Sequence, residues 1–337
     1  MAQFSSVLFL DFFLDDCWSR LQLQARQTQL AAVASSTKKN LVSQLRAYLY
    51  FCCFFNVPPF PVTPHVLSIY IQFLCNSFAS PGSVKNYVFA LQTISNFNGL
   101  PFPSLSQFLF QMQFKGAIRL LAHAPKRAYP LTPDILVAIS RFISTSSPFH
   151  LSAWAAILVG FFSFTRLSNL FPTSVQSFNP LIHLTRSDIF LAKDGILVVL
   201  KWTKTVQNRN RALTIPLTHI PGLPLCPSRA ALAMVALSPA GPHCHAFVYK
   251  VGSKLEIITQ AIFVKFIRSL FAKAGLPPHM FSGHSIRRGG ATWAFSQGIP
   301  GELIQHHGDW KSDAYLRYLD FSMTDKLTVS QKMSTSL

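Results

Sequence analysis

Residues 283–290 read Gly-His-Ser-Ile-Arg-Arg-Gly-Gly, and residues 307–318 read His-Gly-Asp-Trp-Lys-Ser-Asp-Ala-Tyr-Leu-Arg-Tyr. In a helix His284 and Arg287 stand at i and i+3, so both occupy one face. Gly283 before them and Gly289-Gly290 after them permit another backbone to approach closely. A guanidinium stays charged at any working pH, and an imidazole one turn away can donate or accept a proton. Such a face suits an anionic oxygen cluster. Trp310 adds a ring and one N–H donor, and Tyr315 and Tyr318 add two phenols three residues apart. Arg288 is expected to point away, to backbone phosphate or to solvent.

The composition shows what the anion is. The 337 residues carry 30 Lys and Arg against 12 Asp and Glu, a formal charge of +18. The imbalance is not spread evenly. After Asp11, Asp15 and Asp16 the next acid is Asp134, so residues 17–133 hold ten bases and no acid. Residues 134–337 hold twenty bases and nine acids. A basic chain with such a segregated charge is suited to a polyanion, first of all nucleic acid. Within the acid-free stretch Lys38, Lys39, Arg46, Lys85, Lys126 and Arg127 are the expected backbone contacts.

Other classes are disfavoured. Hydrophobic residues make up 50% of the chain, which excludes a disordered basic tail. Mean hydropathy is +0.30, yet the longest uncharged apolar stretch, Leu151 to Thr165, falls short of the ~20 residues a membrane span needs. It reads as a buried core helix. The N-terminus has no basic region ahead of its apolar run, so a signal peptide is not expected. Six cysteines show neither CxxC spacing nor a disulfide framework. His243-Cys244-His245 has no second ligand pair at finger-like spacing and reads as a loop or strand edge, so no metal site is expected.

The chain divides into a helical domain over 1–123, a proline-bounded basic linker over 124–130, and a second domain over 131–337. Helix starts are expected after Ser36-Thr37, at Thr63-Pro64, after Ser80-Pro81-Gly82-Ser83 and at Thr132-Pro133. The second domain begins helical to about residue 170. Strands are expected at 189–191, 195–202 and 212–216, with Lys193-Asp194-Gly195 as a hairpin turn and a polar loop over 205–211. Helices resume near 226 and 258.

Five segments stand out against a phosphodiester target: 164–170 (Phe-Thr-Arg-Leu-Ser-Asn-Leu), 201–205 (Lys-Trp-Thr-Lys-Thr), 283–290, 307–310 and 315–318. Each is short. Their order and spacing in one chain resemble the tyrosine recombinase (integrase) family over the whole chain. The strings at 166–170 and 309–318 look most like recombinases of eukaryotic DIRS/Ngaro-like or Crypton-like mobile elements.

The resemblance implies a mainly α fold with a small antiparallel sheet: a helical core-binding domain followed by an α+β catalytic domain, clamped on double-stranded DNA. It implies a site-specific enzyme that cuts and rejoins DNA through a 3′-phosphotyrosyl link, without metal, cofactor or ATP, as a homotetramer on DNA. The eukaryotic likeness implies a nuclear location. Arg166 and Arg287 would clamp the non-bridging oxygens of the scissile phosphate. Lys204 would be the general acid, with Lys201 its alternative. His284 would assist proton transfer. Trp310 would buttress the pocket, with His306 and His307 as alternatives. Tyr318 would be the nucleophile by spacing, with Tyr315 as packing. Arg166 has no acid within twenty residues in sequence, though a distant one can fold in. Two positions depart from the pattern. Asn169 stands where the family often has an acid. Asp309 puts a carboxylate beside the presumed pocket, where it is expected to turn outward or to pair with Arg317. A type IB topoisomerase-like enzyme and an inactive, domesticated DNA-binding protein are the competing readings.

Overall fold

The computed structural model describes residues 5–121, 128–203, 212–222, 224–318 and the single positions 327, 331 and 334, without the side chains of 5–16 and 317. Lys126, Arg127, Lys204 and the loop over 205–211 lie outside the described residues, as does part of the expected linker. The chain forms two compact units, Met1–Lys126 and Arg127–Leu337.

The first unit is helical: α1 (Ser5–Ala31), α2 (Ser35–Phe54), α3 (Pro64–Ser77), α4 (Pro81–Phe97) and α5 (Phe108–Leu121). Its core is aromatic and aliphatic, with Tyr48, Phe51, Leu67, Tyr70, Ile71, Val84, Val88, Leu91, Phe110 and Phe114 buried together. The Tyr48 hydroxyl donates to the Pro59 carbonyl at 3.0 Å, so this buried phenol keeps a polar partner. Thr63 caps α3 by accepting the Val66 N–H, as expected. Two other helix starts differ. The residue before α2 is Ala34, which has no side-chain oxygen, and Ser36-Thr37 lie inside the helix. α4 begins at Pro81, earlier than expected, with Ser80 at the cap position but making no side-chain cap bond. Proline pre-sets helical φ and needs no N–H at a first helical position, so it starts the helix ahead of Ser83.

The second unit runs α6 (Pro133–Ser140), α7 (Pro148–Phe162), α8 (Leu167–Leu170), β1 (Ile189–Ala192), β2 (Gly195–Leu200), β3 (Leu213–Thr218), α9 (Pro227–Leu237), β4 (Val248–Val251), β5 (Lys254–Ile257), α10 (Gln260–Lys273), α11 (Gly283–Ser296), α12 (Gly301–His307) and a 3-10 helix Asp313–Tyr318. α7 is buried from Leu151 to Phe161 and packs against α9, α11 and β4, so the long apolar stretch is the domain's core helix. No helix among the described residues is long and apolar enough to cross a membrane. The sheet is antiparallel in the order β1-β2-β3, and Pro216 is accommodated because β3 is an edge strand. β2 stops at Leu200, short of Trp202.

The β4–β5 hairpin was not expected. Its strands have four residues each and turn at Gly252, whose φ of +59° suits glycine. His245 lies before it in a buried position. Its Nδ1 accepts the Phe247 N–H at 3.2 Å, and Nε2 meets the Leu170 carbonyl at 2.8 Å. No group of three or more His, Cys, Asp or Glu among the described residues is placed to hold a metal ion.

Candidate active site

The site is built where two helices end. After α7 the chain turns through Phe164, with φ +50°, and after α12 through Asp309, with φ +53°. Both turns carry the paired bonds of a Schellman cap. Thr165 N–H reaches the Gly160 carbonyl at 3.1 Å, and Trp310 N–H reaches the Gln305 carbonyl at 3.0 Å. Glycine is the usual residue at that position. A phenylalanine and an aspartate held there mark local backbone strain, which tends to gather at functional sites.

The two turns aim carbonyls at one guanidinium. Arg287, on α11, is 4% exposed. Its Nη1 donates to the Phe164 carbonyl and its Nη2 to the Gly308 carbonyl, the latter at 2.7 Å. The negative ends of two helices thus hold one cation. The Trp310 ring lies 3.8 Å from the guanidinium carbon, a cation–π stack. Trp310 can lie this close to the α12 terminus because residue 308 is glycine: a Cβ there would fall 1.7 Å from the indole. Two residues further along α11, a Cβ on Gly289 would meet the Leu131 carbonyl at 2.0 Å, so the small residue seats the helix. Burial, then the charge of Arg166, pull the Arg287 pKa down to about 9, while Tyr318 and Asp309 act in the opposite sense. The group remains a cation at neutral pH.

Arg166 stands at the position before α8, makes no side-chain cap bond and is half-buried. Burial lowers its pKa, opposed by Asp309 and Tyr318. The distant acid that folds in is therefore Asp309. It is 6% exposed, turned inward rather than outward, and accepts from the Thr203 hydroxyl at 2.7 Å. The Arg317 side chain is not among those described. Asn169 is also buried, and its amide nitrogen donates to the Trp202 carbonyl at 2.7 Å. Residues 202 and 203 are thereby tethered to the site from two sides, immediately before Lys204. Sequence reading singled out Asn169 and Asp309 only as departures. Their contacts join segments up to 106 positions apart, and no local pattern announces them.

Tyr318 is half-buried near the Arg287 and Arg166 guanidiniums, and its ring centroid lies 5.6 Å from that of Trp310. The two tyrosines lie on a 3-10 helix, where i and i+3 eclipse. They nonetheless differ. Tyr315 is 8% exposed and packs with Phe164, Ala291, Ala294, Ile304 and Trp310. Thr292 holds the end of this segment by donating to the Tyr318 carbonyl at 2.6 Å.

The remaining residues divide cleanly. His284 is exposed one turn before Arg287 on α11. Trp310, not a histidine, stands against Arg287. His307 instead meets the Phe162 carbonyl at 2.8 Å through Nε2, and burial lowers its pKa. His306 is exposed. Lys201 forms an ion pair with Asp188 at 2.7 Å. Arg288 does not point to phosphate or solvent as expected: its Nη1 donates to the Ala128 carbonyl at 2.9 Å, pinning the start of this unit to α11. In the first unit Lys38, Lys39 and Arg46 are exposed, whereas Lys85 lies 5.8 Å from the Phe114 ring centroid, which covers part of that core.

No family model matches the chain. Among curated proteins, an integrase/recombinase XerD homolog of Selenomonas ruminantium is 22% identical over 316 residues, spanning 89% of this chain and 86% of that protein. Among solved structures, the Tn1549 transposon integrase in complex with transposon right end DNA matches with a TM-score of 0.58 at 13% identity, over 92% of this chain and 98% of that one. A lambda integrase dimer bound to a COC′ core site matches with a TM-score of 0.53 at 17% identity, over 90% and 76%. The chain therefore has the tyrosine recombinase fold, mostly helical with a small antiparallel sheet.

Proposed function

We propose that this protein is a site-specific tyrosine recombinase that cuts and rejoins double-stranded DNA. One observation carries the reading: the Tyr318 phenol stands beside the buried Arg287 guanidinium and Arg166, in a recombinase fold. In the proposed step Tyr318 Oη attacks the scissile phosphorus. The new phosphorus–oxygen bond forms as the bond to the 5′ oxygen breaks. Arg166 and Arg287 take the charge gathering on the non-bridging oxygens. Arg287 has five N–H donors and gives two to backbone carbonyls, which leaves donors for phosphate. The phenol proton leaves by way of His284 or solvent, and Lys204 protonates the departing 5′ oxygen. The phosphotyrosyl link retains the bond energy, and a 5′-hydroxyl reverses the step.

The exposed bases Lys38, Lys39 and Arg46 support a role for the first unit in holding the DNA backbone. Recombination joins two duplexes, so the active assembly proposed is a homotetramer on DNA. Phe54, Phe108, Leu109 and Leu120 in the first unit are each more than 70% exposed, apolar surface that self-association would cover. The sequence strings support an origin in a DIRS- or Crypton-like element, and with it a nuclear location.

A suicide duplex, nicked so that the leaving strand diffuses away, tests the chemistry. Wild-type protein is expected to accumulate a covalent adduct at Tyr318. Tyr318→Phe is expected to bind the same duplex without forming it. An adduct persisting in Tyr318→Phe would move the nucleophile to Tyr315 and overturn the assignment.

A further inference from the structure

The first unit begins with a helix that its own chain leaves uncovered. α1 has 27 residues, a rod of about 40 Å. From Cys17 to Ala32 every residue is exposed, with Trp18 at 63%, Leu21 at 53% and Leu23 at 59%. Packing of an apolar face is what stabilises most helices in proteins, and this stretch has none of its own. Its sequence is nevertheless not that of a solvated helix. Val7, Leu10, Leu14, Trp18, Leu21 and Ala25 recur at gaps of three and four, which places these positions on one narrow stripe. Residues 7–14 are apolar at every position except Asp11. A helix end that is apolar all round is suited to being covered.

The charges on α1 are ordered along it. Asp11, Asp15 and Asp16, the only acids before Asp134, fall in its first half, and Arg20 and Arg26 fall in its second. At the base of the helix the body of the unit offers the opposite character. A groove of about 300 Å3 has Arg26 and Lys38 above an apolar floor that includes Leu30, Val42, Ile94 and Phe97. The Arg26 Nη2 donates to the Asn98 side-chain oxygen at 3.4 Å, which keeps it at the groove. An apolar helix end carrying an acid complements an apolar groove carrying two bases. Within one copy the two cannot meet, because positions 11 and 26 lie about 22 Å apart along the same helix.

We propose that α1 pairs antiparallel with α1 of a second copy of this chain, across a two-fold axis near Trp18, and that its N-terminal turns cover the groove at the base of the other copy's helix. In that register position 14 comes opposite position 21, and position 10 opposite position 25. Positions 11 and 26 lie on the same flank of the stripe, and like flanks meet in an antiparallel pair. The acid of each copy thus comes beside the base of the other. A parallel pair would set acids against acids and bases against bases. A membrane surface suits this helix end poorly, since interfacial helices carry Lys and Arg on their polar face, and DNA is repelled by the same three acids. The pairing needs neither DNA nor Tyr318, so it stands or falls separately from strand cleavage.

Sedimentation equilibrium of the full-length chain, free of nucleic acid, tests this. The wild-type protein is expected to be a dimer at micromolar concentration. Trp18→Ala is expected to weaken the dimer by about tenfold or more, as loss of a central aromatic contact does. Arg26→Glu is expected to weaken it by about the same factor, by setting like charges side by side. Adding Asp11→Lys to Arg26→Glu is expected to restore it. Only a contact between antiparallel copies gives that rescue. Far-UV circular dichroism checks that each variant folds, and Trp18→Ala, on exposed surface, covers the case in which Arg26→Glu, which loses the Asn98 bond, does not. A wild-type chain that stays monomeric would overturn the proposal, and one that floats with phosphatidylcholine vesicles would assign the helix to a membrane surface instead. A dimer indifferent to Trp18→Ala, or one that the second charge reversal fails to restore, would overturn it as well.

Discussion

Asn169 and Asp309 act through short polar contacts that set the neighbours of Lys204. The Asn169 amide nitrogen donates to the Trp202 carbonyl, and Asp309 accepts from the Thr203 hydroxyl. A carboxylate at 169 would have only acceptors to offer, facing another acceptor. Asn169→Asp is therefore expected to destabilise the domain by about 1–3 kcal/mol and to slow single-turnover DNA cleavage, while DNA affinity changes little. Urea unfolding with a cleavage time course reads both. A variant matching wild type in each would show that the tether does not position the loop. At this scale the short strings that carry Arg166, Arg287, Trp310 and Tyr318 stand out by their fixed spacing, and the structure gathers those four side chains in one place. Both tyrosines meet the cluster of Phe164, Ala291 and Ile304, Tyr315 as a buried member and Tyr318 as a half-buried neighbour. The tethers were not legible, because a hydrogen bond across 106 positions depends on how α8, the loop and α12 meet. Arg288 was misjudged for the same reason, its partner Ala128 lying 160 positions away.

Among the elements, the turn at His245 ties the β4–β5 side of the domain to α8. Both ring nitrogens are engaged in the neutral form, Nε2–H donating to Leu170 and Nδ1 accepting from Phe247. Burial, more than any other cause, holds its pKa down to about 4. The native state resists the proton that the unfolded chain accepts near 6.5. The stability contribution is thus fully present above about pH 6.5 and is lost as pH falls towards 4, by up to about 1.4 kcal/mol per pH unit. His150, His183 and His307 are shifted in the same direction and add to the slope. His245→Gln is expected to be less stable at pH 7 and to show a shallower fall between pH 6.5 and 4.5, measured by urea midpoints across that range. An unchanged slope would assign the pH dependence to the other histidines. Element starts were readable where a threonine precedes a proline, as at α3 and α6, since the cap and the fixed φ act within four residues. The β4–β5 hairpin was missed because its strands are short and mostly exposed, and no alternation of apolar residues develops in four positions.

For the whole molecule, charge is the property that sequence alone assigned best. Residues 17–133 contain no acid, and on the described surface Lys38, Lys39 and Arg46 lie open to solvent on α2. DNA affinity is expected to fall with salt on a log–log slope of about −0.9 for each phosphate contacted. Replacing Lys38, Lys39 and Arg46 together with glutamine is expected to weaken binding alike on specific and unrelated duplexes and to flatten that slope. Fluorescence anisotropy titrations across a salt series provide the readout, and an unaltered slope would remove α2 from the DNA contact. Arg287 is held by carbonyls at 164 and 308, and the phenol near it follows at 318. Its pocket is thus assembled from segments far apart in the chain, so it can close only after most of the second unit has been made, and on the proposed reading strand cleavage waits for that closure.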